Sequence, residues 1–79
     1  MGNPEKLVRC FATALAVPES AVVDTLSYES IPQWDSVAHM ALVTELEAEF
    51  DVMLDTDEIL ALSSPVQARA ILGRHGVEF

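Results

Sequence analysis

Leu7, Phe11 and Leu15 recur at four-residue intervals, and so do Leu42, Leu46 and Phe50, with Val8, Ala12 and Val43 widening the two stripes. Such a period, with no alternation of the strand kind competing anywhere, confines the chain to helices that each bury one face against the others. Local signals then set the boundaries. Asn3 as N-cap with Pro4 at N1 opens the first helix, since proline loses nothing where its missing N–H has no partner anyway. Pro18 stops that helix near residue 16. The strongest helix runs from Ser36 to about Phe50 and ends at Asp51, with Glu45, Glu47 and Glu49 giving it a wet, acidic side. Asp55 as cap with Glu58 at N3 marks a short third helix anchored by Ile59, Leu60 and Leu62. Ser64-Pro65-Val66-Gln67 starts a fourth, expected to reach about Leu72, to be ended by Gly73 or Gly76, and to turn Val66, Ala70 and Ile71 inward.

Between the first two helices lies a connection over 17–34. Ala21, Val22, Val23 and Leu26 are apolar enough to pin it down, whereas Ser27 to Pro32 is rich in turn formers. Loops this long are unusual in so small a domain and are often functional. The expected architecture is all-α: a single domain over 1–79, a four-helix bundle with one long loop and one short helix.

Seventy-nine residues leave no room for a second core or a deep cleft. A domain of this size buries only about 60% of its unfolded surface, so its stability should be modest. Apolar residues make up 51% of the chain, too many for a disordered acidic tail. The net charge of −9 repels nucleic acid and anionic membrane and suits basic protein partners. Self-repulsion should weaken the compact state and salt should relieve it. The N-terminus lacks an apolar signal core, Lys6 breaks the myristoylation pattern, and no run approaches membrane-spanning length. A soluble, cytoplasmic chain is expected. So is a monomer, because no second apolar face should remain once the helices close.

The segment Gln33-Trp34-Asp35-Ser36-Val37-Ala38-His39-Met40 carries the chemistry. Ser36 opens a helix directly after a turn-rich loop, so its hydroxyl is accessible. A phosphate attached there would meet unpaired N–H groups and the positive end of the helix dipole. The same position suits an ordinary N-cap, which is what a serine at a helix start most often is.

Here the sequence resembles a family. Asp35-Ser36-Val37 is similar to the Asp-Ser-Leu motif at the start of the second helix of acyl carrier proteins. The Leu42/Leu46/Phe50 stripe, the Glu-x-x-Phe at Glu47 to Phe50 and the short helix from Asp55 follow that family's layout, over about Leu7 to Leu72. The resemblance implies that a phosphopantetheinyl transferase, using coenzyme A and Mg²⁺, joins 4′-phosphopantetheine to Ser36. The arm then holds an acyl cargo as a thioester, loaded by a ligase or transferase and passed to downstream synthases of fatty-acid, polyketide or related biosynthesis. No residue of this chain is then a catalyst. Asp35 would present Ser36 to the transferase, or else be a loop-end carboxylate favoured by the helix dipole. Val37, Met40 and Glu47 are candidate partner contacts, although Met40 also reads as core.

Two departures from the family stand out. Ala38, Ala41, Thr44 and Ala48 replace much of the acidic side of this helix found in fatty-acid carriers, so recognition should be less purely electrostatic. Trp34 stands where peptidyl carriers have a glycine-rich approach. The Trp-Asp-Ser form is closer to free-standing carriers of specialised pathways, though Trp34 reads first as a loop anchor packed on the helices.

Other residues read plainly. Cys10, beside Phe11, is a half-buried small hydrophobe and excludes an internal disulfide. His39 and His75 are expected at the surface, too few and wrongly spaced for a metal. Asp51 to Asp57 fits no calcium loop, because Ile59 and Leu60 fall where Asp or Asn and then Gly belong. Two further functions stay open beside the acyl carrier. One is an aminoacyl or peptidyl carrier with the same attachment. The other is a small acidic interaction module with Ser36 as a helix cap only. No paired base and nucleophile, phosphate loop or metal cluster points to an enzyme.

Overall fold

A computed structural model describes residues 2–79. Four helices follow one another: α1 (Asn3–Leu15), α2 (Ser36–Phe50), α3 (Thr56–Ala61) and α4 (Pro65–Arg74), with a single 3-10 turn at Glu19–Ala21. The chain is all-α, with no strand among the described residues. Among those residues, no helix is long and apolar enough to cross a membrane.

The two leucine-rich stripes make the core. Leu7, Cys10, Phe11 and Leu15 of α1 meet Leu42, Val43 and Leu46 of α2, and Ala68, Ile71 and Leu72 of α4 close over them. Among the described residues no polar side chain is buried with them. The 17–34 connection adds Leu26 and the whole of Trp34, which is 0% exposed and meets Phe11 edge-to-face at 5.5 Å. Trp34 is therefore the loop anchor expected of it. A buried aromatic of this size contributes on the order of 3 kcal/mol, and Leu26, Val22 and Ile31 pack the same loop against the core beside it.

The helix ends follow backbone chemistry. α1 and α2 each stop at a left-handed residue, Ala16 and Asp51, followed by a bond from the next N–H back into the last turn (Val17 to Ala12, Val52 to Glu47). α4 ends the same way at Gly76 (φ 89°), with Val77 N–H bonded to the Leu72 carbonyl and Gly76 N–H to that of Gly73. Gly76 rather than Gly73 thus terminates α4, two residues later than expected.

Four local expectations are corrected. Asn3 does not cap α1: Gly2 stands at that position, and the Asn3 amide donates instead to the Glu78 carbonyl at 2.9 Å. Leu60 is no anchor of α3 and lies 76% exposed. Leu62 is buried and Ile59 packs on the core as expected, and Leu54, before the helix, is buried as well. On α4, Val66 and Ala70 face outward, while Ala68 and Leu72 join Ile71 inside.

α3 buries no residue of its own and is held by polar ties. Its capping box forms as expected, with Asp55 Oδ1 accepting from Glu58 N–H at 2.8 Å and Glu58 Oε1 from Asp55 N–H at 3.1 Å. His75 Nε2 lies 2.9 Å from the Glu58 carboxylate, joining the end of α4 to that box.

Candidate functional site

The site is built where the long connection enters α2. Asp35 has extended backbone and its Oδ1 accepts from Ala38 N–H at 2.9 Å, so Asp35 is the N-cap. Ser36 is consequently the first helical residue and not the cap. The reading of Ser36 as a helix cap is overturned, because the neighbouring carboxylate already does that work. Its hydroxyl is exposed and lies 3.2 Å from the hydroxyl of Tyr28.

Tyr28 is itself held in place. Its backbone N–H donates to the Ser63 carbonyl at 2.9 Å, and its ring stands edge-on to Trp34 (centroids 6.1 Å apart) and to His39 (5.1 Å). Trp34 Nε1 donates to His39 Nδ1 at 3.0 Å, and His39 Nε2 reaches the Ile59 carbonyl at 2.8 Å. His39 is therefore not a surface residue. It is half-buried and joins the loop to α3. The turn before it is tight: Glu29, at φ 63°, donates its N–H to the Trp34 carbonyl. Sequence reasoning missed Tyr28 and His39. Neither spacing reveals them, since one stands eight residues before Ser36 across an irregular loop and the other five residues after Trp34.

The partner candidates separate. Val37 is 80% exposed and Met40 52%, so Met40 does not belong to the core. Both stand within a turn of Ser36. Leu60 and Met53 are also bare. Glu47 is occupied: its Oε2 accepts from Leu54 N–H at 2.9 Å, and it fastens the α2–α3 loop rather than offering its charge outward.

A pocket of about 130 Å³ opens between Tyr28, His39, Leu60, Leu62 and Ser63. A larger, open depression of about 260 Å³ lies over Pro4, Glu5, Val8 and Glu19 and shares no residue with the Ser36 site. Cys10 is buried, and the loss of water with Glu49 and Glu45 nearby pushes its thiol up to about 11. It stays a neutral thiol, without the thiolate character a nucleophile needs. Among the described residues no three His, Cys, Asp or Glu side chains are grouped to hold a metal ion.

The residues present fit a phosphodiester on Ser36. The oxygen is accessible and has no capping duty. Asp35 takes the Ala38 N–H, the helix start still favours an anion through the N–H groups that remain, and the Tyr28 hydroxyl stands 3.2 Å from the Ser36 oxygen.

No protein-family model, no curated protein and no solved structure matches the chain.

Proposed function

We propose that the chain is a carrier protein that holds an acyl group on a 4′-phosphopantetheine arm joined to Ser36, within a four-helix bundle of the acyl-carrier type. The observation that carries this reading is the division of labour at the start of α2. Asp35 caps the helix, which leaves the Ser36 hydroxyl exposed and free of capping at the positive end of a fifteen-residue helix. With Asp35 as the cap, the Ser36 oxygen is available for attachment.

The chain's own residues have three tasks in this function. Ser36 accepts the arm, Asp35 fixes the helix start and meets the transferase, and Val37 and Met40 give partner enzymes an apolar contact beside the attachment point. When bound, the arm supplies the thiol that holds the cargo as a thioester. Partners are a phosphopantetheinyl transferase, a loading ligase or transferase, and downstream synthases, with an aminoacyl cargo as the close variant. No residue here serves as acid, base or nucleophile toward the cargo.

The test is intact mass after incubation with coenzyme A and a promiscuous phosphopantetheinyl transferase, on the native chain and Ser36→Ala. Gain of one phosphopantetheine by the native chain alone supports the carrier. No gain by a folded native chain, beside a control carrier that loads, refutes it. The bare Val37, Met40 and Leu60 and the net charge of −9 would then favour an acidic interaction module.

A further inference from the structure

We propose that Tyr28 is a positioning residue for the modification of Ser36, and that its phenol afterwards donates a hydrogen bond to the phosphodiester. This rests on the carrier reading. A serine hydroxyl on an exposed helical turn moves among staggered rotamers. Here its oxygen lies 3.2 Å from the Tyr28 oxygen, and that phenol is not free to wander. The Tyr28 backbone is bonded to Ser63, and its ring is packed on Trp34 and His39. His39 is bonded in turn to Trp34 and to Ile59. Loop, α2 and α3 together therefore fix the phenol oxygen beside Ser36.

In loading, Ser36 Oγ forms a bond to the coenzyme A phosphorus that bears the pantetheine. The pyrophosphate P–O bond on its nucleotide side breaks, and 3′,5′-adenosine bisphosphate leaves. The serine proton passes to a base on the transferase. A Tyr28 O–H that donates to Oγ holds the serine in one rotamer and leaves the serine's own proton facing outward. Once Oγ is an ester oxygen it is a poor acceptor. The charged non-bridging oxygens, two bonds away through phosphorus, then accept from the phenol in a charge-assisted hydrogen bond.

Tyr28→Phe keeps the ring and its packing and removes only the exposed oxygen. The experiment measures steady-state loading by a promiscuous transferase, the ³¹P spectrum of the loaded chain, and the urea midpoint. In Tyr28→Phe we expect kcat to fall roughly tenfold at unchanged KM for the carrier, the ³¹P resonance to move, and the urea midpoint to hold. A native kcat overturns the positioning role, and a native ³¹P position overturns the later donor role. A raised KM with native kcat and ³¹P position assigns Tyr28 to docking and overturns both. If the native chain itself takes up no arm, the carrier reading fails, and this inference with it.

Discussion

The indole N–H of Trp34 donates to Nδ1 of His39 across 3.0 Å, with the two rings stacked 23° from parallel. The accepting nitrogen must carry a lone pair, so the ring proton sits on Nε2, and there it donates to the Ile59 carbonyl at 2.8 Å. One imidazole thus satisfies a fully buried indole on one side and ties down a helix with no buried residue of its own on the other. The loop that carries Tyr28 and the helix that bears Leu60 are registered to α2 through it.

His39→Ala should therefore cost more than a half-buried side chain usually does. It strands the Trp34 N–H in the core and frees the Ile59 carbonyl, for a loss of about 2–3 kcal/mol. In a domain this small that is a large share of the whole, at about 0.1 kcal/mol per residue. Urea denaturation should show a lower midpoint at unchanged slope. A cycle with Trp34→Phe should show coupling between the two. Additivity within about 0.5 kcal/mol would sink the assignment.

What the sequence made legible, and what it hid, divides along the reach of the interactions. The bounds of α2, Ser36 to Phe50, follow from a local cap and a long stripe, and Pro18 marks the end of α1. Asn3 misleads because its amide bonds to Glu78, a partner at the other end of the chain. Leu60 misleads because six residues are too few for periodicity to set a phase, and Leu62 beyond the helix takes the core position. The contact of Tyr28 with Ser36 depends on the path of an irregular loop that Trp34 pins, and no local rule encodes such a path.

Asp35 serves as cap, and its charge is the second thing it offers. Asp35→Ala should lose about 1 kcal/mol, whereas Asp35→Asn, an equally good cap, should stay within about 0.5 kcal/mol of the native chain. Loading rates then isolate the charge. On the proposed carrier function, we expect the Asn variant to load more slowly at native stability, because a transferase would meet a carboxylate beside Ser36. Equal loading rates for Asn and native chains would leave Asp35 as a cap alone.

Cys10 gives the chain a dependence on alkaline pH. Burial, with Glu49 and Glu45 adding to it, raises the folded thiol from 9.0 to about 11. Below pH 9 the thiol is neutral in both states and its contribution is fully present. Between 9 and 11 the unfolded chain releases this proton while the folded one keeps it, so stability falls. The slope is at most about 1.4 kcal/mol per pH unit, less what nearby water screens. Urea midpoints from pH 8 to 11 should fall for the native chain and fall less for Cys10→Ala. Parallel curves would refute the assignment. Alkylation of the native chain at pH 8 should likewise be slow, and unfolding should accelerate it sharply.

Glu47 and the Val37–Met40 pair were grouped by sequence as partner contacts, and the structure gives them opposite work. The Glu47 carboxylate holds Leu54 N–H, and Leu54 is a core residue, so the bond fixes where the α2–α3 loop returns to the interior. Val37 and Met40 support nothing inside and stand bare beside Ser36. Glu47→Ala should lower stability by about 1–2 kcal/mol and leave the transferase KM for the chain near its native value. Val37→Ser and Met40→Ser should do the reverse, with native urea midpoints and a KM raised severalfold as apolar contact is lost. A Glu47→Ala variant of native stability but raised KM would return that carboxylate to the partner surface. Native KM in both serine variants would remove Val37 and Met40 from it.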